Sequence, residues 1–148
     1  MKGQFTEREE NILLVEDSPG DANLFREALK EGDWHPNLYI IETAEEALIF
    51  LHRKGKHTRA TRPNLILLDL KLPQMSGLEF LARLKKDPKL RSIPVVVMTA
   101  SKSARDVRRA LDLHANSYIL KPLFWRDYVA AIKTIEDFWF GRAESSPK

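Results

Sequence analysis

Five side chains of this sequence could do chemistry together: Glu16, Asp17, Asp69, Thr99 and Lys121. Each closes an apolar run. Asn11-Ile12-Leu13-Leu14-Val15 runs into Glu16-Asp17, and Asn64-Leu65-Ile66-Leu67-Leu68 runs into Asp69. Ile93 to Met98 ends in Thr99, and Ser117-Tyr118-Ile119-Leu120 ends in Lys121 with Pro122 behind it. Three carboxylates gathered at one place repel, by about 1 kcal/mol per pair at about 4 Å in bulk water and about 4 kcal/mol at an effective dielectric of about 20. Such a group needs a cation, or one member must keep its proton. Oxygen-only ligands on an open rim suit Mg²⁺. A hydroxyl and a mobile ammonium complete a set fit for phosphoryl transfer, in which Asp serves as the accepting nucleophile and cations offset the charge on the transferring group. Taken singly, each residue has a plainer use. A strand-end Asp caps a helix or forms a turn, Thr99 could cap the helix that follows, and Lys121 could be surface. The reading rests on four strand ends carrying the set at once.

Positioning these groups requires parallel strands. An unbroken apolar run bounded by turn signals reads as a strand buried on both faces, the habit of parallel sheets. Between the runs lie helical stretches. Ser18-Pro19 opens helix one with an N-cap and a proline at the first helical position, and Ala22, Phe25, Ala28 and Leu29 give it an inward stripe ending at Gly32 as a C-cap. Leu38 to Ile41 is a short strand. Thr43-Ala44-Glu45-Glu46 is a capping box that opens helix two, carrying Ala47, Leu48 and Leu51. A basic loop, Arg53 to Pro63, leads to the central strand. Pro73 and Gly77 shape the turn after Asp69. Helix three starts near Ser76, buries Leu78, Leu81 and Leu84, and stops at Asp87-Pro88. Helix four, from about Ser103 to Leu113, turns Val107, Ala110 and Leu111 inward. Helix five runs from about Phe124 to Phe140, with Gly141 closing it. Five β-α units in succession predict an α/β, flavodoxin-like (βα)5 doubly wound parallel sheet of strand order 2-1-3-4-5. In that order strands one and three are neighbours, and Glu16, Asp17 and Asp69 converge.

A chain of 148 residues fits one domain, read as residues 1–148 with a core over about 11–140. The absence of cysteine excludes disulfides, zinc-thiolate sites and thiol catalysis. No apolar run approaches the roughly 20 residues of a membrane span, and Met1 to Glu10 is polar, without a signal core, so a cytoplasmic protein and no membrane partner are expected. A net charge of +3, with basic residues grouped in Arg53 to Arg62 and Lys102 to Arg109, reads as solvated surface. No reading element for nucleic acid accompanies it.

The constellation resembles the receiver domain of two-component response regulators. The residues that carry the likeness are Glu16-Asp17, Asp69 with Pro73 and Gly77, Thr99-Ala100, and Tyr118 with Lys121-Pro122, over about Asn11 to Phe140. The resemblance implies that Asp69 accepts a phosphoryl group from the phosphohistidine of a sensor histidine kinase, with self-catalysed phosphorylation and dephosphorylation rather than turnover as an enzyme. It implies Mg²⁺ bound by Asp17, Asp69 and the Lys71 backbone carbonyl directly and by Glu16 through water. Thr99 and Lys121 would hold phosphoryl oxygens, Ala100 would leave access, and Lys71 and Ser101 stand where the family tunes dephosphorylation. Thr99 and Tyr118 would be the switch pair, Tyr118 being otherwise a packing aromatic. A cis bond is expected at Lys121-Pro122. The chain departs from the common pattern at Glu16 in place of Asp, at Leu72 and Ser76 in place of Met and Asp, and at His114 in place of Gly.

No output domain follows helix five in this reading, so output would come from a change of partner or association. Helix five and its lead-in carry Phe124, Trp125, Tyr128, Phe138, Trp139 and Phe140. More aromatics than one face can hide mark an interface, read as a homodimer through helix four, strand five and helix five, with Phe124, Tyr128, Phe138, Trp139 and Phe140 in the contact. The other reading is a helix tail folded back on its own domain. More narrowly, Arg62 to Asp69, the loop before it, Leu113-His114-Ala115-Asn116 and the aromatic end of helix five resemble the single-domain response regulators of cyanobacterial phytochromes, implying a phytochrome-like kinase as partner. Two rivals are a haloacid-dehalogenase-like phosphatase, which would want a second Asp where Lys71 stands, and a vestigial receiver acting as a constitutive binding module.

Overall fold

The computed structural model describes residues 9–140; the expected cap Gly141 lies outside them. Five parallel strands, β1 (Asn11–Val15), β2 (Asn37–Ile41), β3 (Leu65–Leu68), β4 (Val95–Thr99) and β5 (Ser117–Leu120), form one sheet in the order β2-β1-β3-β4-β5. Helices α1 (Pro19–Leu29), α2 (Ala44–Leu51), α3 (Gly77–Lys86), α4 (Ala104–Asp112) and α5 (Trp125–Trp139) alternate with them. The expected architecture is the observed one.

Every residue of β1, β3 and β4 is buried, which accounts for their unbroken apolar runs. Side chains alternate across the sheet. Leu13, Val15, Ile66, Leu68, Val95 and Val97 face α2, α3 and α4 through Phe50, Phe80, Leu81, Leu84 and Ala110. Ile12, Leu14, Leu65, Leu67, Val96 and Met98 face α1 and α5 through Phe25, Tyr128, Ile132 and Ile135. Full burial of one such side chain stabilises the fold by about 1.5–3 kcal/mol before entropy is counted, so these two layers hold the strands that carry the site.

Two asparagines start strands by imitating the ladder. Asn64 Oδ1 accepts from the Asn11 N–H at 2.7 Å, while the Asn64 N–H donates to Asn11 O at 2.7 Å. Asn116 does the same for β4, accepting from the Val95 N–H at 2.9 Å and donating to Val95 O at 2.8 Å.

Several local expectations are corrected. All described peptide bonds are trans, Lys121-Pro122 included; trans is the lower-energy isomer even before proline, by about 0.5–1 kcal/mol. Helix α1 ends at Lys30 in a right-handed conformation, not on a left-handed Gly32. After α4, by contrast, His114 does take a left-handed turn, with φ 68°. The capping box of α2 is half made: Thr43 Oγ1 accepts from the Glu46 N–H at 3.1 Å, but the Glu46 carboxylate goes to His57 at 2.9 Å and Lys56 at 3.2 Å. Leu111 is exposed, leaving Ala110 as the buried residue of α4. Among the described residues no helix is long and apolar enough to cross a membrane.

Candidate functional site

Register brings the acidic residues together. Val15 pairs with Leu68 across β1 and β3, so the residues that follow them, Glu16 and Asp69, leave the sheet side by side. Thr99 pairs with Leu120 across β4 and β5, which sets Lys121 at the same edge. The Asp69 N–H donates to Val15 O at 3.1 Å and the Lys121 N–H to Thr99 O at 2.9 Å, extending the ladder one step past the strands.

Asp69 is almost fully buried, and both its carboxylate oxygens are occupied. Oδ1 accepts from Thr99 Oγ1 at 2.7 Å and from the Lys71 N–H at 3.1 Å. Oδ2 accepts from Lys121 Nζ at 2.9 Å. The same ammonium reaches Glu16 Oε1 at 2.7 Å and Asp21 Oδ2 at 2.6 Å. Glu16 Oε2 accepts from the Ser18 N–H at 3.1 Å. Asp17 alone of the acidic triad is exposed, and Glu16, Asp17 and Asp69 bring one oxygen each within 4.8 Å of the others.

Burial pushes the Asp69 carboxyl up, but the hydrogen bonds from Lys121, Thr99 and the Lys71 N–H outweigh it and hold the group below its ordinary range. At Glu16 burial wins, and its carboxyl lies above the ordinary range despite Lys121 and the Ser18 N–H. Burial opposes the charge on Lys121, yet its bonds to Asp21, Glu16 and Asp69 hold the ammonium far more basic than a free lysine. The Asp69 carboxylate is thus ionised and the lysine charged at neutral pH, the states that a phosphoryl-accepting carboxylate would need.

The loop after Asp69 is built on a close approach. A Cβ at Gly77 would meet Asp69 O at 2.5 Å and Leu70 Cα at 2.6 Å, both backbone. Only glycine lets α3 begin so near Asp69, and the Gly77 N–H donates to Leu70 O at 3.0 Å. Gln74 supplies the sharp turn with φ 62°, and Ser76 caps α3 by accepting from the Glu79 N–H at 3.1 Å.

Behind Thr99 lies a second network. Ser101 is buried, and its hydroxyl donates to Asp106 Oδ2 at 2.7 Å and accepts from the Ser103 N–H at 3.2 Å. The half-buried Tyr118 donates its hydroxyl to Ser101 O at 3.1 Å. The structure therefore gathers Glu16, Asp17, Asp69, Thr99 and Lys121 at one rim, with Lys71 bonded to Asp69, Ser101 bonded to Thr99, and Tyr118 bonded in turn to Ser101.

Sequence reasoning missed Asp21 and Asp106. Both occupy the third helical position after a capping serine, with Ser18 Oγ accepting from the Asp21 N–H and Ser103 Oγ from the Asp106 N–H. Asp21 therefore looks like the second half of a capping box. Only the folded structure sets it apart, since there Glu16 takes the Ser18 N–H and frees the Asp21 carboxylate.

The aromatic end of the chain divides. Tyr128 is buried in the α1–α5 layer, Trp139 and Phe140 pack against that layer, and the Phe140 ring lies 5.2 Å from that of buried Trp34. Tyr128 thus leaves the expected interface, because its ring is buried in its own domain, while Trp139 and Phe140 are half-buried against the same layer. Leu123, Phe124, Trp125 and Phe138 remain exposed.

Comparison with known proteins covers the stretch of chain that holds these residues. The family model described as response regulator receiver domain matches residues 12–133. The chain is 43% identical to the response regulator Rcp1 of Synechocystis over 128 residues, 86% of this chain and 87% of that one. It is 38% identical over 130 residues to a probable methanogenesis regulatory protein, FilR2, of Methanothrix harundinacea, covering 88% of this chain and 83% of that one. Among solved structures, the phosphorylated cyanobacterial phytochrome response regulator RcpA superposes with a TM-score of 0.85 at 39% identity, over 90% of this chain and 96% of that one. The Mn²⁺-bound form of Rcp1 superposes with a TM-score of 0.82 at 41% identity, with the same coverage.

Proposed function

This chain belongs to the response regulator receiver family, and from that premise we propose that it is a phosphorylation-driven signalling switch with Asp69 as the acceptor. The observation that carries the proposal is the Asp69 carboxylate, ionised and nearly buried, with Thr99 on one oxygen and Lys121 on the other. The donor is the phosphohistidine of a sensor histidine kinase. One Asp69 oxygen bonds to phosphorus while the bond from phosphorus to the donor nitrogen breaks, and the electron pair stays on the nitrogen. Thr99 and Lys121, already on Asp69, then donate to the phosphoryl oxygens. In dephosphorylation water attacks phosphorus, the Asp69 oxygen leaves with its electrons as a carboxylate, and the water's proton goes with the inorganic phosphate that is released.

The donor set of the rim fits a hard divalent cation: oxygens of Glu16, Asp17 and Asp69 meet there, with more negative charge than Lys121 offsets. Asp17, Asp69 and the Lys71 carbonyl would hold Mg²⁺, with Glu16 acting through water. When bound, the ion neutralises charge on the transferring group. The protein is a signal acceptor and not a turnover phosphatase, since Lys71 stands where a second acid would be needed. We read residues 1–148 as one receiver unit working in the cytoplasm, which the family match over 12–133 supports.

Finer assignments follow. The likeness to Rcp1 and to RcpA, a phytochrome response regulator, supports a phytochrome-like kinase as partner. Exposed Leu120, Leu123, Phe124 and Trp125 at the junction of β5 and α5, with Phe138 further along α5, support a homodimer through α4, β5 and α5. Tyr118 and Thr99 are the switch pair, and Lys71 and Ser101 tune the phosphoryl lifetime.

The test is an intact mass after incubation with Mg²⁺ and acetyl phosphate. One phosphoryl adduct, absent from Asp69→Asn, is the expected result; no adduct with acetyl phosphate or any kinase sinks the proposal. Sedimentation against concentration tests the dimer: Phe124→Ala with Phe138→Ala should give a monomer where the parent associates.

A further inference from the structure

The three partners of Lys121 are not equivalent. Glu16 and Asp69 belong to the acidic triad that a divalent cation would claim, whereas Asp21 stands outside it. Asp21 also makes the shortest contact, 2.6 Å against 2.7 Å and 2.9 Å. A cation entering the triad draws on the oxygens of Glu16 and Asp69 and repels the ammonium that shares them. Of the three carboxylates, Asp21 is then the one whose attraction for Lys121 is undiminished.

Its availability is built into the start of α1. Ser18 Oγ accepts from the Asp21 N–H at 3.1 Å, the first half of a capping box. The second half would send the Asp21 carboxylate back to the Ser18 N–H. Glu16 Oε2 occupies that N–H instead, at 3.1 Å. The Asp21 side chain is spared from capping and crosses to the end of β5.

We infer that Asp21 is a positioning residue: it keeps the Lys121 ammonium at the rim while the metal triad is occupied, so that the lysine is in place when a phosphoryl group arrives on Asp69. This rests on the receiver reading above. Asp21 touches neither the reacting atoms nor the ion. Its loss acts through Lys121 alone.

The discriminating experiment uses the full chain and four variants: Asp21→Asn, Asp21→Glu, Lys121→Ala, and Asp21→Asn combined with Lys121→Ala. At saturating Mg²⁺, Asp21→Asn should slow phosphorylation by acetyl phosphate about tenfold, the scale of one charge-assisted contact. Asp21→Glu should recover part of the rate. In the Lys121→Ala background the Asp21 change should cost nothing further, since the two residues act as a unit. Mg²⁺ affinity, read by titration of tryptophan fluorescence, should stay within about twofold of the parent, a small fraction of one such contact. The side-chain ammonium NMR signal of Lys121 at saturating Mg²⁺, visible while the group is held by an acceptor, should be lost in Asp21→Asn and kept in the parent. An equal slowing with and without Lys121, a tenfold loss of Mg²⁺ affinity in Asp21→Asn, or an ammonium signal that survives the substitution overturns the inference. A parent protein that takes no phosphoryl group refutes the receiver reading itself, while the NMR arm still reports on Asp21.

Discussion

Gly77 and Tyr128 show how single residues hold the site from opposite sides of the sheet. Gly77→Ala forces a methyl group against the backbone of Asp69 and Leu70, atoms that cannot swing aside. Overpacking of this kind costs about 1–3 kcal/mol. Urea unfolding should show that loss, accompanied by weaker Mg²⁺ binding because the acceptor loop must shift. Tyr128 is buried on the other face, and burial pushes its hydroxyl up to about 12 from the ordinary 10.0. The folded protein holds that proton more tightly than the unfolded chain. Its contribution is therefore complete below pH about 10 and is lost as pH climbs toward about 12, a difference of about 2–3 kcal/mol across the interval. Melting curves between those limits should fall more steeply for the parent than for Tyr128→Phe, and ultraviolet titration should show Tyr128 ionising late.

The helices differ in how plainly their sequences announce them. Strands β1, β3 and β4 were legible because burial on both faces leaves an apolar run that nothing else explains. The gathering of Glu16, Asp17, Asp69, Thr99 and Lys121 at one rim was legible for the same reason, since they are the polar residues that end such runs. Helix α5 was harder. Its aromatics outnumber one inward face, and composition does not say which of them finds a neighbour elsewhere. Phe140 finds Trp34, itself fixed by an Nε1–H bond to Glu10 Oε1 at 2.8 Å, a contact invisible without the tertiary fold. Asp21 was illegible because its partner lies 100 residues away and its spacing mimics a cap. The two sides of α5 should separate under substitution. Ile135→Ala, at a fully buried position, should cost about 2–5 kcal/mol. Phe138→Ala, at an exposed one, should change stability by no more than about 0.5 kcal/mol while weakening association. Guanidinium unfolding of both variants at one concentration tells the two apart.

At the scale of the molecule, metal and fold are linked by mass action. An ion that binds the folded rim and not the unfolded chain adds about 2.7 kcal/mol at a hundred times its Kd. Mg²⁺ should therefore raise the melting temperature of the parent, and Asp17→Asn, which removes the exposed member of the triad, should abolish most of the rise. The strand order carries a further consequence. Asp69 leaves β3, the central strand, whereas Tyr118 and Lys121 belong to the end of the sheet, where β5 has a single neighbour and is only half-buried. Amides of β1 and β3 should then exchange with deuterium only through global opening, while those of β5 exchange through cheaper local excursions. On the proposed roles, the nucleophile sits in the slowest-breathing part of the molecule and the switch tyrosine in the part that opens most readily, so the second can rearrange while the first stays shut.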